Sequence, residues 1–160
     1  MSLLFVLASV FCSLVMPQPR PLAEVVAQSD TIVVVEYSKA KSRAIKVPVR
    51  KGEPFVRQQS PWIVKQVIKG DAKLVGQTIY VDVYDWRFNV AMMETSREGG
   101  PLPSKNVPSY KLLAKRAPQM PEPMIFFLRK EDDGAYEPTV MDAIESVKHL
   151  DQVKAAIAKP

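Results

Sequence analysis

Short apolar runs separated by prolines and glycines dominate the chain, and long amphipathic stretches are few. "PLAEVVAQSD" (residues 21–30) sets Leu22, Val25 and Val26 at helical spacing behind an early proline, which predicts a short helix. "TIVVVEYSKA" follows, a β-branched run apolar on both faces, and reads as a buried strand. "AIKVPVR" alternates weakly and contains Pro48. Proline has no N–H to give a ladder, so this segment belongs at an edge or a bend. After Gly76, "QTIYVDVYD" points Ile79, Val81 and Val83 one way and Thr78, Tyr80, Asp82 and Tyr84 the other. "PMIFFLRK" (123–130) is a second buried strand, "EDDG" a hairpin turn and "AYEPTVM" the returning strand. The tail "LDQVKAAIAK" predicts a helix with Asp151 as N-cap and Val153, Ala156 and Ile157 on one face. "AIESVKHL" before it fits strand and helix alike.

One segment breaks the alternation. In "SPWIVKQVIKGD" (60–71), Val64 and Val67 lie three apart, which in a flat strand puts them on opposite faces. A β-bulge near Lys65 or Gln66 adds one residue, bends the strand and returns Val67 to the side of Trp62 and Val64. The alternative is a strand buried on both faces without a bulge. Lys65 and Lys69 need a solvated side, which favours the bulge. Gly70 then supplies the backbone freedom for a turn. About five strands, some bent, with few short helices, predict a mainly β fold: a small five-stranded OB-like barrel with short flanking helices and a long insert.

Length refines this picture: 160 residues suit one domain, and 47% hydrophobic residues can build a core. The first segment stands apart. Leu3–Met16 is an uncharged apolar run ending in Pro17, Pro19 and Pro21. It has the length of a signal-peptide core and is short of the roughly 20 residues that span a bilayer. No Lys or Arg precedes it and no A-x-A site follows it. The expected organisation is a leader over 1–20 and a barrel domain over 21–160, giving a periplasmic or secreted protein, or one anchored by an uncleaved N-terminal segment. Cys12, the one cysteine, lies in the leader without the surroundings of a lipidation box, so residues 21–160 contain no disulfide and no thiol chemistry.

Three stretches together carry a resemblance. "VKQVIKGD", the glycine-led "GQTIYVDV" and "PMIFFLRKEDDGAYEP", entered through "LAEVVAQSDTIVVVEY", resemble exported bacterial domains with an OB-type barrel, similar to the netrin-like fold of the tissue inhibitors of metalloproteinases. The resemblance covers most of the chain after Pro21 and consists of apolar and turn patterning. It implies a fold. The inhibitors' disulfides and metal-reaching terminal cysteine have no counterpart in residues 21–160, so their mechanism transfers to no residue here.

Motifs for chemistry are sparse. G-x-S-x-G, H-E-x-x-H and P-loop patterns are absent from the sequence. His149 is the one histidine, with Glu145 four residues before it, and an exposed or capping role accounts for it. Glu131, Asp132 and Asp133 are consecutive rather than alternating, unlike a calcium loop, and fit a solvated turn. No metal or other cofactor is expected.

Charge is unevenly distributed. Lys39–Lys73 holds ten basic and two acidic residues, a net of +8, whereas Glu122–Asp151 holds three basic and eight acidic, a net of −5. Lys46, Arg50, Lys51 and Arg57 mark a candidate basic face, which lysines guarding a strand edge would equally explain. Sparse aromatic interleaving and export argue against nucleic acid. The insert, 85–123, is too long for a plain loop and carries Trp86, Arg87, Phe88 and Tyr110, residue types that anchor interfaces. Short helices are expected at "NVAMMETSR" and "SYKLLAKR", and the insert serves as a lid or as a recognition surface. The function expected is a non-enzymatic envelope module recognising a protein, peptide or glycan, such as an envelope protein or an anionic surface polymer, through the insert and the basic face. Membrane contact is confined to an uncleaved leader, and the sequence does not set the oligomeric state. Alternatives are an enzyme using carboxylates and His149, or a purely structural domain.

Overall fold

The computed structural model describes residues 15–83, 85–100, 105–113 and 120–159. In chain order these form β1 (Val15–Arg20), α1 (Leu22–Gln28), β2 (Thr31–Tyr37), β3 (Arg43–Val47), β4 (Phe55–Lys69), β5 (Thr78–Asp82), α2 (Trp86–Arg97), β6 (Lys105–Tyr110), β7 (Met124–Lys130), β8 (Tyr136–Pro138), β9 (Ile144–Ser146) and α3 (Leu150–Ala158).

Five strands close on themselves in the order β2–β4–β5–β8–β7, with β7 pairing back to β2. Among the described residues the fold is mainly β, a closed five-stranded barrel compatible with an OB-like fold and flanked by three helices and the insert. All pairs around the barrel are antiparallel except β5–β8, which is parallel and joined at Val81–Tyr136. Among the described residues, β3 pairs only with β4 and β9 only with β7, so both extend the sheet beyond the barrel.

The bulge falls at Lys65. Val34 pairs with Gln66 and Val35 with Val64, so Lys65 is the extra residue of β4. Its ammonium reaches solvent and pairs with Glu36 at 3.2 Å, while Trp62, Val64 and Val67 all pack on the same cluster. A second bulge, not foreseen, falls at Ile68: Ile32 pairs with Lys69 and Val33 with Val67. The 15-residue β4 pairs with β3 over Phe55–Gln59, with β5 over Gln59–Ile63 and with β2 over Trp62–Lys69, and both bends fall in the last of these. Gly70 closes the strand at φ +109°, where a Cβ would lie 3.1 Å from the Asp30 carbonyl, so the turn requires glycine.

Two apolar clusters explain the unbroken runs of β2 and β7. Val33, Val35, Val64, Ile79, Val81, Met124, Phe126, Leu128 and Tyr136 come from all five barrel strands and fill the interior. The alternate residues Ile32, Val34, Ile125 and Phe127 face outward and are covered by Val25 and Val26 of α1, Val153 of α3 and Tyr110. Strands buried on both faces lose the polar alternation. Fully burying a side chain such as Phe127 contributes roughly 1.5–3 kcal/mol, so each cluster is a major part of the core.

Several expectations are corrected. "SYKLLAKR" does not start as a helix: Ser109 and Tyr110 end β6, which pairs in parallel with β1. The remainder through Leu113 is irregular, and 114–116 lie outside the described residues. The last helix starts at Leu150 with His149 at its N-cap, so Asp151 sits in the first turn and favours the helix through the dipole rather than as a cap. Val83 lies past the end of β5 and is half exposed. "AIESVKHL" resolves into β9 followed by a 3₁₀ turn, Val147–His149. The leader assigned to 1–20 meets the fold at β1; residues 1–14 lie outside the described residues.

Candidate binding surface

The basic residues divide into two groups. Between β2 and β4, the β3 hairpin carries Lys39, Lys41, Arg43, Lys46, Arg50 and Lys51 without an intervening acid. All six are exposed. Arg43 stacks on the Tyr80 ring at 3.4 Å, and Arg50 approaches Glu94 and Glu98 at 3.9 Å. No described residue gives Lys39, Lys41, Lys46 or Lys51 an ion-pair partner. β3 is a free edge among the described residues, exposed from Arg43 to Lys46, with Ile45 among its exposed side chains.

Arg57 does not belong to this face. Its side chain is 6% exposed, and its Nε and Nη2 donate to the two Asp82 oxygens at 2.7 and 2.6 Å. Nη1 donates to Asp133 at 2.7 Å. The register explains the pairing. Gln59 lies opposite Asp82, and Arg57, two residues along β4, shares the face of both. Gln59 adds a donor to Asp82 at 3.2 Å. The hydrogen bonds that Arg57 donates to Asp82, reinforced by both carboxylate charges, outweigh desolvation and raise the Arg57 pKa. A buried charge needs a partner of this kind, and Asp82 at the end of "TIYVD" supplies it. Asp133 also fastens the turn between β7 and β8 to this site, so "EDDG" is tethered as well as solvated.

The insert residues are also divided. Asp85 caps α2 by accepting from the Phe88 amide at 3.0 Å. Trp86 lies half-buried between the guanidinium groups of Arg57 at 4.9 Å and Arg87 at 4.7 Å. Its indole N–H is buried without an acceptor among the described residues. Arg87 is exposed and bridges Glu131 and Glu137, the latter at 2.7 Å. Its hydrogen bond to Glu131 leads the causes that raise its pKa. Burial, then the hydrogen bond to Glu131, push the Glu137 carboxyl above its ordinary range. Phe88 is half-buried. Trp86, Arg87 and Phe88 therefore share one helical turn.

Tyr110 sits elsewhere, inside the outer core cluster. It is 5% exposed, packs on Phe127 at 5.2 Å and donates its hydroxyl to Glu145 at 3.0 Å. Desolvation, then the Glu145 charge, raise its pKa well beyond the ordinary tyrosine value. Tyr110 ends a strand rather than continuing a surface helix, which separates it from Trp86, Arg87 and Phe88. Glu145, fully buried, accepts also from the amides of Leu113 and Ser146 at 2.7 and 2.8 Å. These contacts hold Glu145 to the end of the insert, and among the described residues its donors do not include His149.

A cleft of about 270 Å³ opens at the barrel end, lined by Trp62, Phe126 and Leu128 with Asp82 and Asp142 among its polar residues. Among the described residues no three His, Cys, Asp or Glu side chains are grouped to hold a metal ion. No described helix is long and apolar enough to cross a membrane. Comparison with known proteins brings no family model, curated protein or solved structure to a match.

Proposed function

We propose that this protein is a non-catalytic binding module that takes an acidic, extended polypeptide segment along the free edge of β3. The observation that carries the reading is the run of exposed cations from Lys39 to Lys51 on an edge strand with no acid between them. An open edge offers unpaired backbone groups to an added strand. Like charges disfavour pairing of this edge with a second copy of itself, whereas a strand bearing carboxylates relieves that repulsion. The hairpin occupies the connection between the first two barrel strands, one of the loops through which OB-type barrels hold their ligands. With this role goes a periplasmic or secreted location, supported by the apolar run Leu3–Met16.

A fluorescein-labelled deca-glutamate peptide, titrated with the protein and followed by anisotropy, tests the proposal. Saturable binding that weakens as salt rises is expected. K41E/K46E/K51E should weaken it by at least about tenfold, equivalent to ~1.4 kcal/mol, which is reasonable for three reversed rim charges. Unchanged affinity in that variant would overturn the reading. Binding of an anionic polysaccharide in preference to the peptide would replace the polypeptide with a glycan.

A further inference from the structure

We infer that α2 is an electrostatic strap that occupies the β3 hairpin, with Glu94 and Glu98 standing in for the carboxylates of the partner. This regulatory role rests on the binding reading above and deepens it.

α2 is seated by polar contacts at its two ends. None of its 12 residues is fully buried. At the N-terminal end, Arg87 clips to Glu131 and Glu137 beside the β7–β8 turn. At the C-terminal end, Glu94 accepts from the Arg50 amide at 2.9 Å and, with Glu98, faces the Arg50 guanidinium. Arg97 donates to the carbonyls of Lys51 and Glu53. Gly52 permits this approach: a Cβ there would stand 3.0 Å from the Arg97 guanidinium. The helix therefore runs from the acidic turn to the basic hairpin. Trp86, its first residue, lies under the Arg57 guanidinium beside the Arg87 clip.

The placement of charge separates docking from helix stability. A helix favours acids in its first turn and bases in its last. Although Asp85 and Arg97 obey this rule, Arg87 in the first turn and Glu94 and Glu98 at the end oppose it. Those three are the residues that complement the barrel, which is acidic beneath Arg87 and basic beneath the glutamates. Exposed ion pairs of this kind are individually weak and screened by salt, so an acidic segment presenting several carboxylates to the hairpin can displace them.

The test uses the full chain and the variant E94Q/E98Q, which leaves the hairpin cations in place and substitutes residues of similar helix propensity. Hydrogen exchange should show α2 amides exchanging at least threefold faster in the variant, or in wild type at 1 M salt, while the β2 and β7 amides keep their protection. The variant should also bind the labelled deca-glutamate about fivefold more tightly than wild type. Unchanged α2 exchange in both conditions would overturn the strap. Faster exchange with equal peptide affinity would leave a clip without a regulatory role and overturn the inference. Peptide binding to neither protein would remove the binding reading and the regulatory role with it, and the exchange data would still decide whether α2 is held by charge.

Discussion

Replacing Arg57 by methionine gives the sharpest test of how the β4–β5 face is held. Arg57 and Asp82 are 6% and 1% exposed, and two hydrogen bonds of 2.6–2.7 Å join them. Methionine preserves much of the apolar stem and leaves the Asp82 carboxylate buried, with Gln59 as its remaining side-chain donor among the described residues. Removing one member of a buried pair costs about 3–5 kcal/mol, because the remaining charge loses its compensation. For a domain of this size, 1 kcal/mol moves the melting temperature by about 2–4 °C, so a fall on the order of 10 °C is expected. Urea unfolding of wild type, R57M, D82N and R57M/D82N at neutral pH provides a double-mutant cycle. The double variant, which carries neither charge, should recover to within about 1–2 kcal/mol of wild type, since replacing both members of a buried pair is often nearly neutral. A loss below about 1 kcal/mol for R57M would match an exposed pair and refute the reasoning. A double variant as unstable as R57M would show that packing, rather than charge compensation, is at stake.

Three further outcomes follow from the same geometry. Tyr110→Phe removes one of the three donors that the described residues give the buried Glu145 and should cost about 1.5–3 kcal/mol in urea unfolding, the range for a hydrogen bond to a charged group. Glu137→Gln tests the raised carboxyl: a folded pKa above the unfolded one means the folded state binds more protons through that range, so wild type loses this contribution as pH rises from the ordinary carboxylate pKa through the raised value. The stability of the variant relative to wild type should therefore increase between pH 4 and pH 7, and a flat or opposite trend in parallel unfolding curves would count against the assignment. If the leader is removed, intact-mass measurement of the exported protein should place the new N-terminus ahead of Val15, because β1 pairs with β6 over Val15–Arg20; a mature chain starting after Arg20 would show that the barrel does without that strand.

Much of the barrel was legible because burial leaves local marks. The three-residue gap from Val64 to Val67, with a charged Lys65 between, has one economical solution, and the bulge stands there. The unbroken "TIVVV" and "MIFFL" runs announced strands covered on both faces. The pairing of β1 with β6 left no such mark: "VMPQPR" and "KNVPSY" are polar and proline-bearing, and their parallel register joins residues about ninety positions apart. The candidate surface was half legible for the same reason. Exposed cations on β3 can be read one residue at a time, whereas the burial of Arg57 depends on the β4–β5 register that brings Asp82 beside it. Tyr110 looked like an anchor because its type favours interfaces, but its environment is fixed by Phe127 and Glu145, distant in sequence.

The measurement that bears most directly on the proposed binding mode is hydrogen exchange of the β3 amides, resolved by NMR, with and without the deca-glutamate peptide. Strand addition to a free edge should slow alternate amides across Arg43–Val47, those pointing away from β4, with a matching loss of the effect in K41E/K46E/K51E. Saturable binding that leaves every β3 amide exchanging as in the free protein would contradict the account.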